Sequence, residues 1–498
     1  MRIGGLASGM DIDKIVKDLM SAERIPLDKM EQDKIWLTWQ RDAYRDVNKQ
    51  LLELDNLTLN MKLEKTYNTK STTSTQAAAV TATAAASASG GSYSVEVTQL
   101  ASVAINVSSK VTAAGQNFDP DKAFKDQTGV LANPLETGDF TFYTWNKNGE
   151  QLTHTFSVSD TDSLNDVLQR ITDADNGVRA FYDSQADKVV LERTETGDFN
   201  KGGQEISFDA ASAAFFTNTL GMAETLEAGG QNAVFKYNGA LTIESYENNY
   251  TLNDVTFNFH NTTDGQAKIN VTNDIDASVE KITEFVAKYN EIVEKLNDQV
   301  SERRNREYRP LTDLQKEAME EREIELWEEK AKKGMLSGDP IIRGALSEMR
   351  SNWYNTVEGA GTYSHLSEIG ITTTSNYLDG GKLLIDEDKL RKALRENPEA
   401  VHSLFSKEGE GSRQGIIRRL EDTIERAATA IENKAGKTTS VDNTFVLGRQ
   451  LKNINQRMDA FEDRLTQIEN RYWSQFTAME KAIQRMNSQS NYLMQQFS

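Results

Sequence analysis

A glycine followed by Lys-Thr often closes a phosphate-cradling loop, and the chain has one such triplet at Gly436-Lys437-Thr438. That loop also needs a glycine five positions earlier and a hydrophobic strand leading into it. Position 431 is Ile and no such strand precedes it, so the triplet is not a nucleotide site. Asp173-Ala174-Asp175-Asn176-Gly177 begins like a calcium loop, but its glycine comes one position early and no closing carboxylate fits, so it reads as a turn. His154, His260, His365 and His402 are scattered, with none in a metal-ligand spacing. Ser8, within Gly5-Leu6-Ala7-Ser8-Gly9, has no strand before it and cannot be a nucleophile elbow. The absence of cysteine removes thiolate catalysis, disulfides and cysteine-held metal. Carboxylates are abundant everywhere, and no acid–base pair stands out. The expectation is a protein with no catalytic residue, no cofactor and no metal, and hence not an enzyme.

What does recur at regular spacing is apolar. Asp11 is placed to cap a helix carrying Ile12, Ile15, Val16 and Leu19 on one face, and Pro26 is expected to break it. Tyr44, Val47, Leu51, Leu54, Leu57 and Met61 then form a second helical face. At the other end Leu451, Ile454, Met458, Phe461, Leu465, Ile468 and Tyr472 alternate steps of three and four. A four-residue step to Phe476 shifts the phase before Met479, Ile483, Met486, Leu493 and Phe497. This is a heptad seam with one local unwinding of the supercoil. No proline or glycine follows Gly448, so some 50 residues would form a helix of about 75 Å. Such a seam needs a partner helix. The N-terminal helices are one supply, and another subunit is the other.

Between the ends the period changes. Ser71 to Val95 carries no charge and could be a linker, although Tyr93 to Thr98 alternates like a strand. Gly138 to Val158 reads as a hairpin turning at Asn148-Gly149, followed by a short amphipathic helix with Leu164, Val167, Leu168 and Ile171. Strands are expected at Val178–Tyr182, Lys188–Leu191, Val234–Tyr237, Leu241–Ser245, Val255–Phe259 and Ala267–Val271. Helix resumes at Ser278 with Val279, Ile282, Phe285, Val286, Tyr289, Val293 and Leu296. Asp313 to Lys333 reads as one charged helix, Asp339-Pro340 starts another, and Asp386 a further one that breaks near Pro398.

Helices thus enclose strands, and length alone suggests about three domains. The 56 basic and 76 acidic residues leave a net charge of −20, which argues against nucleic acid and anionic lipid as partners. The charge is uneven: residues 111–277 hold 26 acidic and 10 basic side chains, whereas 449–498 hold 5 and 7. An acidic solvated head and near-neutral ends suit an assembly in which the ends pack, though an ordinary acidic domain would look the same. No stretch approaches the roughly 18 apolar residues of a membrane span. The opening residues lack the apolar region of a cleavable secretory signal.

Several of these segments together resemble the flagellar filament-capping (hook-associated protein 2) family. Gly5-Leu-Ala-Ser-Gly-Met-Asp-Ile-Asp-Lys-Ile-Val16, continuing to Leu19-Met-Ser-Ala-Glu-Arg-Ile-Pro26, is similar to its N-terminal signature, and Gly91 to Ala101 to its second block. Ser163-Leu164 to Gly177-Val-Arg-Ala180 resembles a module shared among flagellar hook-associated proteins and flagellins. Gln231-Asn-Ala, Asn238-Gly239, Leu252 to Thr256, Val271 to Asp274, Phe285 to Asn290, Arg309 to Thr312, Trp327 to Ala331 and Gly370-Ile371 extend the likeness in order. Residues about 103–160 lie outside it.

The resemblance implies an α+β multidomain fold of discontinuous, nested domains. Residues 1–40 plus 450–498 would be a terminal coiled coil, and 41–70 plus 278–449 a helical leg. Residues 71–110 plus 232–277 would form a β-rich inner head, and 111–231 an outer one. It also implies a ring of about four to six subunits, a pentamer by preference, at the distal filament tip. There the ring would hold exported flagellin while it folds and inserts. Further implied partners are hook–filament junction proteins, a cytoplasmic chaperone on the C-terminal helix and the flagellar type III export apparatus, with no nucleic acid and no membrane. The assembly seam expected from the spacing is Ile12, Ile15, Val16 and Leu19 with Leu451 through Leu493. Rival readings are flagellin or a junction protein, which lack the Phe285–Asn290 and Trp327–Ala331 blocks, a surface adhesin with the acidic head binding host polymers, and an enzyme embedded in the head.

Overall fold

The computed structural model describes residues 9–209, 212–376 and 379–497, without the side chains of 495–497. The Gly5–Ser8 part of the N-terminal signature and the Phe497 side chain lie outside the described residues. In chain order, α1 (Ile12–Met61) and α2 (Glu64–Tyr67) come first. Strands follow: β1 (Lys70–Ser74), β2 (Val80–Ala84), β3 (Gly91–Gln99), β4 (Val103–Lys110), β5 (Gly138–Trp145) and β6 (Gln151–Val158). Then come α3 (Leu164–Asp173), β7 (Val178–Asp183), β8 (Lys188–Thr196), β9 (Ser207–Phe208), β10 (Ala233–Tyr237), β11 (Leu241–Ser245), β12 (Asn249–Leu252), β13 (Val255–Phe259) and β14 (Ala267–Asn273). The chain returns to helix with α4 (Ile275–Ser301), α5 (Asp313–Lys316), α6 (Glu321–Lys332) and α7 (Pro340–Tyr354). After these come β15 (Ile371–Thr373), β16 (Leu383–Ile385), α8 (Glu387–Glu396), α9 (Pro398–Ser406), α10 (Ile416–Ala435) and α11 (Val446–Phe497). Two compact units result, one from Met1–Tyr67 with Ile275–Ser498 and one from Asn68–Asp274.

The first unit is helical. Val47, Leu51 and Leu54 of α1 join Ile282, Tyr289 and Val293 of α4, Met349 of α7, and Leu420 and Ile424 of α10 in one buried cluster. Asp339, Asp386 and Asn397 cap α7, α8 and α9 through their side chains, with Pro340 and Pro398 in the first turns behind them. Proline suits that position because its missing N–H would be unpaired there anyway.

Three expectations are corrected in detail. Pro26 does not break the first helix, since α1 runs through it as a single 50-residue helix. An interior proline costs about 3 kcal/mol, but Val16 and Leu27 on either side are buried, and their packing carries the helix across. The charged helix expected over Asp313 to Lys333 is two, because Glu320 adopts an extended backbone at the start of α6. Ser71 to Val95 is no linker: β1, β2 and the first half of β3 occupy it, with Val80 and Ala82 buried and Thr72 and Thr81 half-buried. Branched side chains of this kind fit a pleated, partly covered surface.

The second unit has two cores. The sheet ordered β1-β14-β3-β10-β11 and the sheet β12-β13-β2 enclose Val80, Val95, Val97, Phe235, Phe257, Phe259 and Ile269. The sheets β4-β8-β7 and β6-β5-β9 pack with α3 around Phe140, Phe142, Leu164, Val167, Leu168, Ile171, Leu191 and Phe216. A Ser163–Asp166 capping box starts α3. The hairpin of β5 and β6 pairs residue for residue from Gly138↔Val158 to Trp145↔Gln151. Gly149 supplies the positive φ (76°) that its loop requires.

Candidate assembly interface

Long apolar seams are the strongest pattern in the sequence, and α1 and α11 carry them. The two helices lie antiparallel. The Tyr472 hydroxyl donates to Glu23 Oε1 at 3.0 Å, while Trp36 and Leu37 of α1 share a groove with Val446, Ile454 and Arg457 near the start of α11. Ile12 and Val16 are buried, as are Leu451, Ile454, Leu465 and Ile468. Ile15, Met458, Phe461, Tyr472, Phe476, Met479 and Ile483 are half-buried. Leu19 (38% exposed), Met486 (60%) and Leu493 (53%) face outward. The antiparallel register accounts for the last two. With Tyr472 beside Glu23, the first turn of α1 is reached near Ile483, and Met486 and Leu493 lie beyond it.

Sequence spacing missed several residues of this surface. Leu27, directly after Pro26, is buried. It lines a groove of about 560 Å³ with Val16, Met20, Leu465, Trp473 and Leu314. Leu314 arrives from the segment 302–333, a strap that contacts α1. In the strap the Arg304 guanidinium lies 3.9 Å from the Trp36 ring centroid, and the Lys332 ammonium 4.7 Å from that of Trp39. The Asp313 N–H donates to Glu31 Oε1 at 3.2 Å. Within the strap the Trp327 indole N–H donates to the Arg309 carbonyl at 2.7 Å and its ring stands edge-on to Tyr308. The Trp327 and Arg309 blocks, separate in sequence, thus form one structural piece. Only cation–π spacing between distant segments could have signalled it, and sequence does not show which tryptophan meets which cation.

A largely buried polar cluster joins α1, α7 and α10. The Tyr44 hydroxyl donates to Asp339 Oδ2 at 2.5 Å, and Lys434 Nζ pairs with the same oxygen at 2.9 Å. Asp339 Oδ1 accepts from the N–H groups of Ile341 and Ile342. Burial pushes the Asp339 carboxyl up, but donation from Tyr44, Lys434 and Ile342 outweighs it and holds the group below the usual carboxylate range. Burial, the bond to Asp339 and its charge push the Tyr44 phenol well above its ordinary value. Nearby, the Arg45 guanidinium donates to the carbonyls of Ala435, Gly436 and Lys437, satisfying the end of α10. Gly436 has φ 66°, and a Cβ there would strike the Phe445 ring.

These contacts tie α1, α7 and the end of α10 to one another. Among the described residues no three His, Cys, Asp or Glu side chains gather as a metal site, and no helix is long and apolar enough to cross a membrane.

Comparison with known proteins shows the family. The family model described as Flagellar hook-associated protein 2 N-terminus matches residues 8–104, and that described as Flagellar hook-associated protein 2 C-terminus matches 230–488. Flagellar hook-associated protein 2 of Halalkalibacterium halodurans is 36% identical, covering 100% of this chain and 100% of that protein. The Escherichia coli K12 protein of the same name is 25% identical over 99% of this chain and 97% of its own length. Among solved structures, the flagellar cap protein FliD D1-D2-D3 domains from Escherichia coli match in fold. The TM-score is 0.56 at 21% identity, over 80% of this chain and 97% of that one.

Proposed function

Since this chain belongs to the flagellar hook-associated protein 2 family, whose role is to cap the flagellar filament, we propose that it works as a homo-oligomeric ring at the distal filament tip. The ring has four to six subunits, five by preference. It retains exported flagellin, gives it a sheltered place to fold, and opens insertion sites in turn. The protein is structural and non-enzymatic. It lies outside the cell, reaches the tip through the flagellar type III apparatus, and is escorted by a cytoplasmic chaperone on α11. Hook–filament junction proteins receive the ring at the start of assembly. A secondary role in adhesion would fall to the acidic heads.

The supporting observation is the antiparallel pair of α1 and α11, whose apolar seam continues on α11 past its partner to Met486 and Leu493. A stretch of seam that the described residues leave exposed is suited to other subunits. The proposed division of labour puts the coiled coil at 1–40 plus 450–498 and the leg at 41–70 plus 278–449, both touching flagellin. The inner head at 71–110 plus 232–277 and the outer head at 111–231 would close the ring. The interfaces must release one at a time, which favours modest polar contacts over one large apolar face.

Leu465→Asp tests the reading, because Leu465 is buried on α11 against the groove containing Val16 and Leu27. Cells carrying it should secrete flagellin as monomer and make few filaments, while the purified protein keeps the strand signature of its second unit in circular dichroism. Filaments of normal number and length would sink the assignment of the seam.

A further inference from the structure

The edge of a β-sheet presents unpaired N–H and C=O groups to any strand that can reach it. Folded proteins protect such edges with charge, bulges, shortness or cover. Most edges of the strand-rich unit carry one of these devices. β1 begins with Lys70, β7 holds Arg179 and Asp183, and β11 holds Glu244. β12 has four residues and β9 two. β2 lies against β1, with the Thr72 hydroxyl donating to the Ala82 carbonyl. β4 ends in Lys110, pairs irregularly with β8, and bridges through Ile105 to Ala228.

β6 has almost none. Its sequence, Gln151-Leu-Thr-His-Thr-Phe-Ser-Val158, is eight residues long and has no charge, proline or glycine. It pairs with β5 at every position without a bulge, and it ends its sheet. The one guard among the described residues is Arg170, whose Nη1 donates to the Ser157 carbonyl at 2.9 Å, leaving Gln151 to Phe156 open. This bare strand sits in the segment 111–277, where 26 acidic residues face 10 basic ones. The core beneath it is also unfinished: Leu152 is 40% exposed, and His154 and Phe156 on the same face are only half-buried.

We propose that β6 pairs with β6 of a second copy of this chain, antiparallel about a two-fold axis at His154. The strand is self-complementary in that register. Leu152 faces the second copy's Phe156 on the core side, Thr153 faces Thr155 on the other, and Gln151 faces Ser157. Aliphatic–aromatic and Thr–Thr pairs across strands are stabilising ones. No like charges oppose each other, whereas docking β6 on β7 or β11 of a copy would bring Asp183 or Glu244 into an already acidic surface. The register also sets Glu150, next to Gln151, beside the second copy's Arg170 at its Ser157 carbonyl. A two-fold contact of this kind is isologous, and is therefore separate from the head-to-tail contacts that close a ring. A seven-residue strand pair buries well under the roughly 1,200–2,000 Å² of a standard interface, so it holds only copies that are already close.

The chain has no cysteine, so full-length single-cysteine variants can trap the contact. Residues opposite each other in antiparallel strands have Cα atoms about 4.5–5.5 Å apart, within disulfide range. Under copper–phenanthroline oxidation, His154→Cys should form covalent dimer at least tenfold faster than Thr242→Cys on β11. A Thr153→Cys chain mixed with a Thr155→Cys chain should give more cross-linked product than either alone, leaving His154 untouched. Adding Thr153→Lys to His154→Cys should slow cross-linking about tenfold with an unchanged thermal midpoint. Equal rates for β6 and β11, or a rate indifferent to Thr153→Lys, would overturn the proposal.

Discussion

Asp339 shows how much can depend on one carboxylate. It caps α7, accepts the Tyr44 hydroxyl and pairs with Lys434, whose ammonium also lies 4.4 Å from the Tyr44 ring centroid. Removing one member of a buried pair costs on the order of 3–5 kcal/mol, so Asp339→Ala should lower the urea midpoint of the helical unit by that equivalent. The pH dependence follows from the same contacts. The carboxyl titrates below its unfolded value of about 3.9, so its contribution is fully present above that value and is lost as pH falls through the lower folded value. Urea titrations of the unmodified chain should show stability falling below about pH 4, and Asp339→Asn should flatten that part of the profile. Sequence reading found Asp339-Pro340 as a helix start because a cap is a local signal. It could not find Tyr44 or Lys434, which are 295 and 95 residues away.

At the scale of elements, α1 and α11 show where periodicity suffices and where it misleads. The three-and-four spacing located the buried Ile12, Val16, Leu451, Ile454, Leu465 and Ile468 without any structure. It did not locate Leu27, because Pro26 argued for a break. Proline removes one hydrogen bond and crowds the carbonyl of Ala22, yet packing on both sides outweighs a penalty of about 3 kcal/mol. Pro26→Ala should therefore slow amide exchange across residues 22–30 and raise the thermal midpoint by a few degrees, as followed by hydrogen exchange and calorimetry. Faster exchange there would mean that the pairing with α11 depends on Pro26. α5 and α6 give the opposite lesson: the segment reads as one charged helix, whereas Glu320 is extended between two short ones, and Asp313 and Lys332 contact Glu31 and Trp39 of α1.

For the whole molecule, the chain leaves its helical unit after Tyr67 and returns at Ile275, so the strand-rich unit is an insertion. Deleting 1–40 and 450–498 spares Tyr44, Asp339 and Lys434 and most of the helical cluster. Light scattering should show a ring-sized species for the full chain and a smaller or weaker one for the truncation. A strict monomer in both forms at high concentration would favour an adhesin or junction protein over a ring. The order of helices and strands, the capped helix starts, the β5–β6 hairpin and the two apolar seams were set by local residue patterns, because propensity, capping and spacing act within a few residues. Tertiary structure decided which helix covers which part of the seam, that α1 passes through Pro26, that the Trp327 and Arg309 blocks form one strap, and that β6 ends its sheet with Arg170 as its one guard among the described residues. Those outcomes depend on contacts between residues far apart in the chain, where packing outweighs local preference and no local pattern records the partner.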